Sequence, residues 1–259
     1  MGRRLALEAR RMGRLGLQSP LDTEIWGLKL RLFPRGNISE ARLLFMPQLL
    51  DVVERQALAR EAKPGWVFAD LGANVGSFTY WAASLGMEGS RILAVEPDPE
   101  IHATLRFNLD TNGLANVTAF AGAVADRSGS RTLEISQANR GESALRTMEA
   151  GPGGGTADSR NGDSTGGPGG SRSVTALSLR DLLDQEGIPG LDALKIDVEG
   201  GEFAILKAFF EATDEDRWPH LLITEWKGTR EALALGEILE RTGFHLSDAT
   251  RLNRVYRRG

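Results

Sequence analysis

The chain has 259 residues, 41% of them hydrophobic, which is enough to bury a substantial core in one large domain or two modest ones. Its 31 basic and 35 acidic side chains leave a net charge of −4, so charge gives no reason to expect a nucleic-acid partner. Cysteine is absent, which excludes disulfides, thiolate zinc sites and cysteine nucleophiles.

The sequence of residues 1–63 predicts an N-terminal arm, a β-ribbon over 22–34 and a largely helical segment over 39–63, all packing on the domain that follows. Pro47 either interrupts this helical segment or takes the N1 position of a helix. The arm is rich in arginine but lacks the apolar block of ~7–15 residues that a secretory signal needs. No stretch approaches the ~20 apolar residues of a membrane span. We therefore expect a cytoplasmic protein with no membrane span, and a homodimer contact through the ribbon and helix stays open.

From residue 64 onwards, short apolar strands alternate with amphipathic helices. The predicted strands and helices are, in turn, 66–71, 77–85, 91–96, 98–113, 116–124, 193–198, 201–212, 220–226 and 229–243, followed by a hairpin over 244–258. This alternation predicts a mostly parallel sheet covered by helices on both faces, which is a doubly wound α/β/α fold. The terminal hairpin adds one antiparallel strand.

The segment 125–176 interrupts the alternation. One strand is predicted over 128–136 and another, returning, over 172–178. Between them, residues 151–170 contain nine glycines and two prolines, a composition that predicts disorder. This insertion is either inert or a mobile cover over the site.

A glycine turn, Asp70-Leu-Gly-Ala-Asn-Val-Gly76, follows the first strand of the alternation. Ligands of doubly wound sheets bind beyond such strand ends, and glycines allow a tight turn and close packing there. A dinucleotide fingerprint would need glycine where Asn74 stands, and no triphosphate-binding G-K-S/T is present. We expect Asp70 to face the cleft, where an aspartate suits the amino-acid tail of a sulfonium ligand better than a pyrophosphate.

Glu96 ends the second strand, about 20 residues beyond Gly76, and Pro97 follows it. A carboxylate at this place can accept hydrogen bonds from two ribose hydroxyls. Acids after both strands together indicate a nucleoside with a cationic tail, and S-adenosyl-L-methionine fits both.

The sequence Lys195-Ile-Asp-Val-Glu-Gly ends the fourth predicted strand of the sheet. Asp197 and Glu199 are the candidate catalytic groups, as a base or as orienting groups, and both project to one side if the strand persists. Glu225 ends the neighbouring strand and could complete an acidic cluster for Mg²⁺ or Ca²⁺, although we predict no metal. In the alternative interpretation, Glu199 caps a helix and Glu225 pairs with Lys195 or Lys227.

Segments over roughly residues 64–226 resemble the successive signatures of the FkbM-type S-adenosylmethionine-dependent methyltransferases. They are "FADLGANVGSFTYWAA", "ILAVEPDPEIHATLRFNLDTNGLANV", "GAVADRSGSRTLEI", "VTALSLRDLL" and "ALKIDVEGGEFAILKA". The glycine-rich insertion and the arginine-rich start depart from this pattern.

The resemblance implies a class I methyltransferase fold of seven strands, the last of them antiparallel. It implies a reaction that is usually O-methylation, with S-adenosyl-L-homocysteine as the product, and our leading hypothesis is that the acceptor is a small molecule or glycan. It places the methionine part of the cofactor on the turn, the ribose on Glu96 and the adenine near Ala123. The cofactor-binding residues are then Asp70, Gly72, Ala73, Asn74, Gly76, Glu96, Pro97 and Ala123.

Two other functions stay open from the sequence. A catalytically silent domain could keep the cofactor turn, although the presence of both Asp197 and Glu199 argues against it. A nicotinamide oxidoreductase is disfavoured by Asn74. The strand end also lacks the Asn/Asp-Pro-Pro-Tyr/Phe motif common in enzymes that methylate planar amino groups, which favours a hydroxyl acceptor.

Overall fold

The structure, a computed structural model, describes residues 19–35, 37–135, 144–146 and 170–259. The predicted arm (except its last two residues) and nearly all of the predicted disordered stretch 151–170 lie outside these ranges. The described chain forms the following elements in order: β1 (Leu21–Ile25), β2 (Leu28–Leu32), α1 (Ile38–Phe45), α2 (Val52–Glu61), β3 (Val67–Leu71), α3 (Ser77–Ser84), β4 (Arg91–Glu96), α4 (Pro99–Thr111), β5 (Val117–Ala121), β6 (Ala123–Ala125), β7 (Gly129–Glu134), β8 (Ala144–Arg146), β9 (Ser171–Ser178), α5 (Leu179–Gln185), β10 (Ala193–Ile196), α6 (Glu202–Ala212), β11 (Leu221–Glu225), α7 (Arg230–Arg241), β12 (Phe244–Ala249) and β13 (Asn253–Arg258).

A seven-stranded sheet in the order β12-β13-β11-β10-β3-β4-β5 forms the centre of the molecule. Its strands run parallel except β13, which is antiparallel to β11 and β12. One core cluster packs α2, α3 and α4 on one face, and a second packs α5, α6 and α7 on the other. The predicted three-layer α/β/α fold with a last antiparallel strand is confirmed. Within the described ranges, no helix has the length and apolar character needed to cross a bilayer.

The strand predicted over 116–124 is two strands in two sheets. β5 belongs to the large sheet, whereas β6 pairs in parallel with β9 in a four-stranded sheet of order β6-β9-β7-β8. Gly122 lies between them, and a Cβ there would be 2.8 Å from the Thr175 carbonyl oxygen, so the crossing needs glycine. The strands predicted to leave and return around the insertion pair as β7 and β9.

The N-terminal ribbon consists of β1 and β2, and two side chains at the C-terminal end of α4 bind the edge of β2. Asn108 accepts from the Arg31 N–H (2.7 Å) and donates to the Arg31 carbonyl (3.0 Å). Asn112 makes the same two bonds with Lys29, at 2.8 and 2.7 Å. Residues four apart share one helix face, so two amides satisfy alternate residues along the edge of β2.

Arg55 of α2 fixes the loop between α1 and α2. Its guanidinium lies 4.9 Å from the ring centre of Trp26 and 4.6 Å from that of Trp81. It also donates to the carbonyl oxygens of Leu50 (2.6 Å) and Pro47 (3.1 Å). The predicted interruption at Pro47 is confirmed, since α1 ends at Phe45 and α2 begins at Val52.

The ends of β3 and β10 approach each other closely at Gly72. The chain winds from β3 towards β4 on one side and places β10 on the other, so these strands flank the switch point of the sheet. The Asp197 N–H donates to the Leu71 carbonyl at 3.0 Å. Gly72 has φ +74°, and a Cβ there would lie 1.9 Å from the Asp197 carbonyl oxygen. Only glycine fits between the two turns.

We predict that Gly72→Ala lowers the free energy of unfolding by about 2 kcal/mol more than Gly65→Ala does. Gly65 is a matched control, since it has φ +76° and a Cβ there would meet nothing within 4 Å. Both variants carry the strain of a left-handed alanine, but only Gly72→Ala must also push two turns apart. Chemical denaturation measures the difference, and equal losses would show that the close approach costs nothing.

Candidate active site

A cavity of about 300 Å³ lies beyond the C-terminal ends of β3, β4 and β10. The glycine turn and the strand ends form its base, while α1, the loop before α2 and the turn between β12 and β13 form its outer wall. The lining residues are Ile38, Ser39, Arg42, Leu50, Asp51, Gly72, Ala73, Asn74, Ser77, Phe78, Val95, Glu96, Pro97, Ile101, Ala123, Val124, Lys195, Asp197, Val198, Glu199, Glu225, Leu252 and Asn253.

Most of the residues proposed from the sequence meet in this cavity. Those that line it are Gly72, Ala73, Asn74, Glu96, Pro97, Ala123, Asp197 and Glu199. Asp70 and Gly76 do not line it. The cavity therefore unites the predicted cofactor residues with the predicted catalytic carboxylates.

The glycine turn is fastened to the end of β4 through backbone bonds. The N–H groups of Gly72 and Ala73 both donate to the Val95 carbonyl, at 3.0 and 2.8 Å. Asn74 is left-handed, with φ +52°, and its Oδ1 accepts from the Val75 N–H at 2.8 Å. The turn is therefore held in place before any ligand binds.

Glu96 is buried at the inner edge of the cavity and is bound on both oxygens. Oε2 accepts from the Asn74 N–H and Oε1 from the Asp98 N–H, each at 2.8 Å. Burial, partly offset by these two bonds, raises the pKa of Glu96 to about 7. Because a carboxylate has about four acceptor positions, two remain for hydroxyl donors. The residue thus fits the ribose role expected of it.

We expected Asp70 to face the cavity, but it does not line it. It is fully buried, and its Oδ2 accepts from the Thr79 N–H (3.1 Å) and hydroxyl (2.7 Å) of α3. Its Oδ1 lies 3.5 Å from the Lys195 Nζ. The charge partner that we expected a ligand to supply is supplied by the protein, and Asp70 anchors α3 to β3.

Gly76 also acts through packing. A Cβ there would lie 2.6 Å from Leu105 Cδ1 and 2.9 Å from Tyr80 Cζ, so glycine lets the start of α3 lie against α4. Sequence reasoning expected both a cofactor contact and close packing of the helix, and the structure supports the packing.

Lys195 is a site residue that the sequence analysis did not select. The residue is 6% exposed, and its ammonium donates to the Gly72 carbonyl at 3.1 Å. Asp197 Oδ2 lies 3.5 Å away, as does Asp70 Oδ1. Burial alone would lower the pKa of Lys195, but the charges of Asp197 and Asp70 outweigh it and raise that pKa. The sequence did contain a signal for this residue, since a lysine inside an otherwise apolar strand indicates a buried charge with a partner.

We expected Asp197 and Glu199 to lie on one strand and to project to the same side, but neither belongs to β10. β10 ends at Ile196, and Glu199 is left-handed with φ +57°. Lys227 donates to Glu199 at 2.7 Å and lies 2.7 Å from Glu225 Oε2. The alternative pairing of Glu225 with Lys227 is confirmed, and burial raises the pKa of Glu225 to about 7.

Glu199 does not cap α6, because the N-cap is Gly201 and no side chain makes a cap bond there. Glu202, the first residue of α6, instead binds the loop before the helix. Its Oε1 accepts from the N–H groups of Val198 (3.1 Å) and Gly200 (3.3 Å). Among the described residues, one acidic group could hold a metal ion, and it combines Asp197, Glu202 and Glu225 within 4.8 Å. Each of these carboxylates already has a protein partner, in Lys195, the backbone or Lys227.

The outer wall of the cavity is held by polar contacts between distant segments. Arg42 of α1 pairs with Asp51 at 3.0 Å. The buried Glu54 of α2 accepts from the Thr250 hydroxyl (2.7 Å) and the Asn253 amide (2.8 Å). The N-terminal segment and the terminal hairpin are therefore joined beside the cavity.

Comparisons with known proteins give a methyltransferase family model and a methyltransferase relative. The family model described as "Methyltransferase FkbM domain" matches residues 70–246. Methyltransferase sdnD of Sordaria araneosa is 27% identical over 199 residues, which are 69% of this chain and 73% of that protein.

Two solved structures are also similar. Precorrin-6y C5,15-methyltransferase of Geobacter metallireducens GS-15 is 16% identical at a TM-score of 0.46, covering 78% of this chain and 86% of that one. Methyltransferase FkbM of Methylobacillus flagellatus KT is 14% identical at a TM-score of 0.44, covering 84% of this chain and 54% of that one. Because the family model matches residues 70–246, which are more than half of the chain, the chain belongs to the FkbM family of S-adenosylmethionine-dependent methyltransferases.

Proposed function

We propose that this methyltransferase methylates a hydroxyl oxygen of a small molecule or glycan, with Asp197 as the base that receives the hydroxyl proton. One observation carries the proposal: Glu96, the glycine turn and Asp197 line the same cavity. Groups suited to a nucleoside and a carboxylate suited to proton transfer therefore lie side by side.

The cavity residues fit an adenosyl cofactor. We assign the ribose hydroxyls to Glu96, which has acceptor positions left, and the methionine part to Gly72, Ala73 and Asn74. Pro97 and Ala123 form the wall assigned to the nucleoside. When bound, S-adenosylmethionine supplies a methyl group that its sulfonium has already activated.

Asp197 is placed for acid–base work by Lys195. The ammonium lies 3.5 Å from Oδ2, and the Asp197 side chain is 36% exposed at the cavity wall. We assign the other oxygen, Oδ1, to the acceptor hydroxyl, whose proton it would take as the new C–O bond forms and the C–S bond of the donated methyl group breaks. Such a base contributes about 10²–10⁴-fold to rate, and alignment of the reactants supplies the rest.

Glu199 has a different place in the proposal. Its carboxylate is held by Lys227 at 2.7 Å, so its position in the wall is fixed. We assign it to orienting the acceptor through the oxygen that Lys227 does not bind. The strand end Asp-Val-Glu-Gly offers no aromatic ring for a planar base, which supports a hydroxyl acceptor.

We predict that S-adenosyl-L-homocysteine binds about tenfold more tightly at pH 8 than at pH 6, because ionised Glu96, with its pKa of about 7, is the better acceptor for ribose hydroxyls. A raised pKa means that folding favours the protonated carboxyl. The protonated Glu96 side chain therefore stabilises the unliganded protein fully below about pH 4.5, and this stabilisation is lost as the pH rises through about 7. Calorimetry from pH 6 to 8 measures the binding.

Two variants separate Glu96 from other groups that titrate in this range. Glu96→Gln should bind weakly with little pH dependence, whereas Glu225→Gln should keep the wild-type dependence, although the pKa of Glu225 is also about 7. A wild-type affinity that stays flat from pH 6 to 8, or NAD binding in preference to S-adenosyl-L-homocysteine, would contradict the cofactor assignment.

We predict that Asp197→Asn lowers kcat about 10²–10⁴-fold while the Kd for S-adenosyl-L-homocysteine changes less than about threefold. The asparagine keeps the shape of the side chain but cannot accept the hydroxyl proton. Transfer of a labelled methyl group to a panel of hydroxylated small molecules and sugars identifies an acceptor and gives the rates. Unchanged turnover in Asp197→Asn would remove the base from the mechanism.

A further inference from the structure

Asn37 joins the N-terminal segment to the glycine turn. It is the N-cap of α1, and its Oδ1 accepts from the N–H groups of Ser39 (2.9 Å) and Glu40 (3.3 Å). Its Nδ2 donates to the Asn74 Oδ1 at 2.9 Å. The side chain is 5% exposed, so both ends of a buried amide are used.

The bond to Asn74 continues towards the ribose acid. The same Asn74 Oδ1 accepts from the Val75 N–H at 2.8 Å, and this pair of bonds fixes the side chain of a left-handed residue. The Asn74 N–H in turn donates to Glu96 Oε2 at 2.8 Å. An unbroken path of hydrogen bonds therefore runs from the start of α1 to Glu96.

The other side of Asn37 leads to the outer wall of the cavity. Ile38, Ser39 and Arg42 of α1 all line the cavity, and they follow directly from the cap. Because Asn37 bonds both to the glycine turn and to the N-terminal N–H groups of α1, it fixes the start of α1 relative to the glycine turn. Asn37 does not itself line the cavity, so it acts through its neighbours.

We propose that Asn37 is a positioning residue that couples the cofactor turn to the acceptor wall, fixing Asn74 through its amide N–H and α1 through its carbonyl oxygen. The inference rests on the proposed cofactor site. It extends that site to a segment that precedes the matched family domain, which begins at residue 70.

The two tasks of Asn37 can be separated by substitution. Asn, Asp and Ser are about equally good N-caps, so a merely capping role survives either replacement. Neither replacement keeps the hydrogen bond from residue 37 to Asn74. Serine is too short to reach Asn74 while it caps the helix, and aspartate has no N–H to donate. Aspartate also places an oxygen against Asn74 Oδ1, which cannot turn away without losing the Val75 N–H.

Calorimetry with S-adenosyl-L-homocysteine on the full chain tests the proposal. We expect Asn37→Ser to weaken binding about 3- to 10-fold, the range for one lost hydrogen bond, with Tm within a few degrees of wild type. Asn37→Asp should weaken it at least as much. The control, Asn112→Ser, removes another tie between the N-terminal ribbon and the domain, one that does not touch the cavity, and should keep wild-type affinity.

Hydrogen exchange gives a second readout, in which each protein is compared with itself, with and without ligand. We expect the ligand to slow the exchange of the α1 amides in the wild-type protein. In Asn37→Ser, we expect the ligand to leave their exchange rates unchanged. Wild-type affinity in both Asn37 variants, equal losses in Asn112→Ser, or no protection of α1 in the wild type would each overturn the inference alone. Failure of the wild-type protein to bind S-adenosyl-L-homocysteine would instead overturn the proposed function, and the inference with it.

Discussion

The close approach of two backbone turns at the switch point of the sheet is the constraint on which the site depends. Gly72 lies so near the Asp197 carbonyl that any side chain would overlap it. The turn assigned to the cofactor is thereby placed directly beside the carboxylate assigned to the acceptor. Methyl transfer requires donor and acceptor to be aligned within a short distance. Under the proposed function, this contact joins the two assigned groups through the backbone rather than through flexible side chains.

Buried charge is the second feature of the site. Lys195 lies among Asp70, Asp197 and the Gly72 carbonyl, and Glu96 is held by two backbone N–H groups. Burying charged groups costs free energy unless they are paired, and perturbed pKa values concentrate at functional sites. Here the ammonium pairs with both the inner carboxylate, Asp70, and the outer one, Asp197, while Glu96 keeps acceptor positions for a ligand. The N-terminal segment adds polar contacts that hold the outer wall.

Local pattern was enough to predict most of the sheet, the glycine turn and the position of Glu96 at the end of β4, because strand–helix alternation and strand-end acids are properties of short segments. Contacts between distant segments were not predictable in this way. Asp70 points at Thr79 and Lys195, β10 ends before Asp197, and Gly122 divides one predicted strand between two sheets. The outer wall was missed for the same reason, since the partners of Glu54 lie almost two hundred residues away.

The crystal structure of the protein with S-adenosyl-L-homocysteine tests the central claim most directly. The account predicts ribose hydroxyls within hydrogen-bond distance of Glu96, the amino-acid tail along Gly72 to Asn74, and the sulfur directed to the part of the cavity that Asp197 lines. A ligand whose ribose lies away from Glu96, or whose sulfur faces a wall without Asp197, would contradict it.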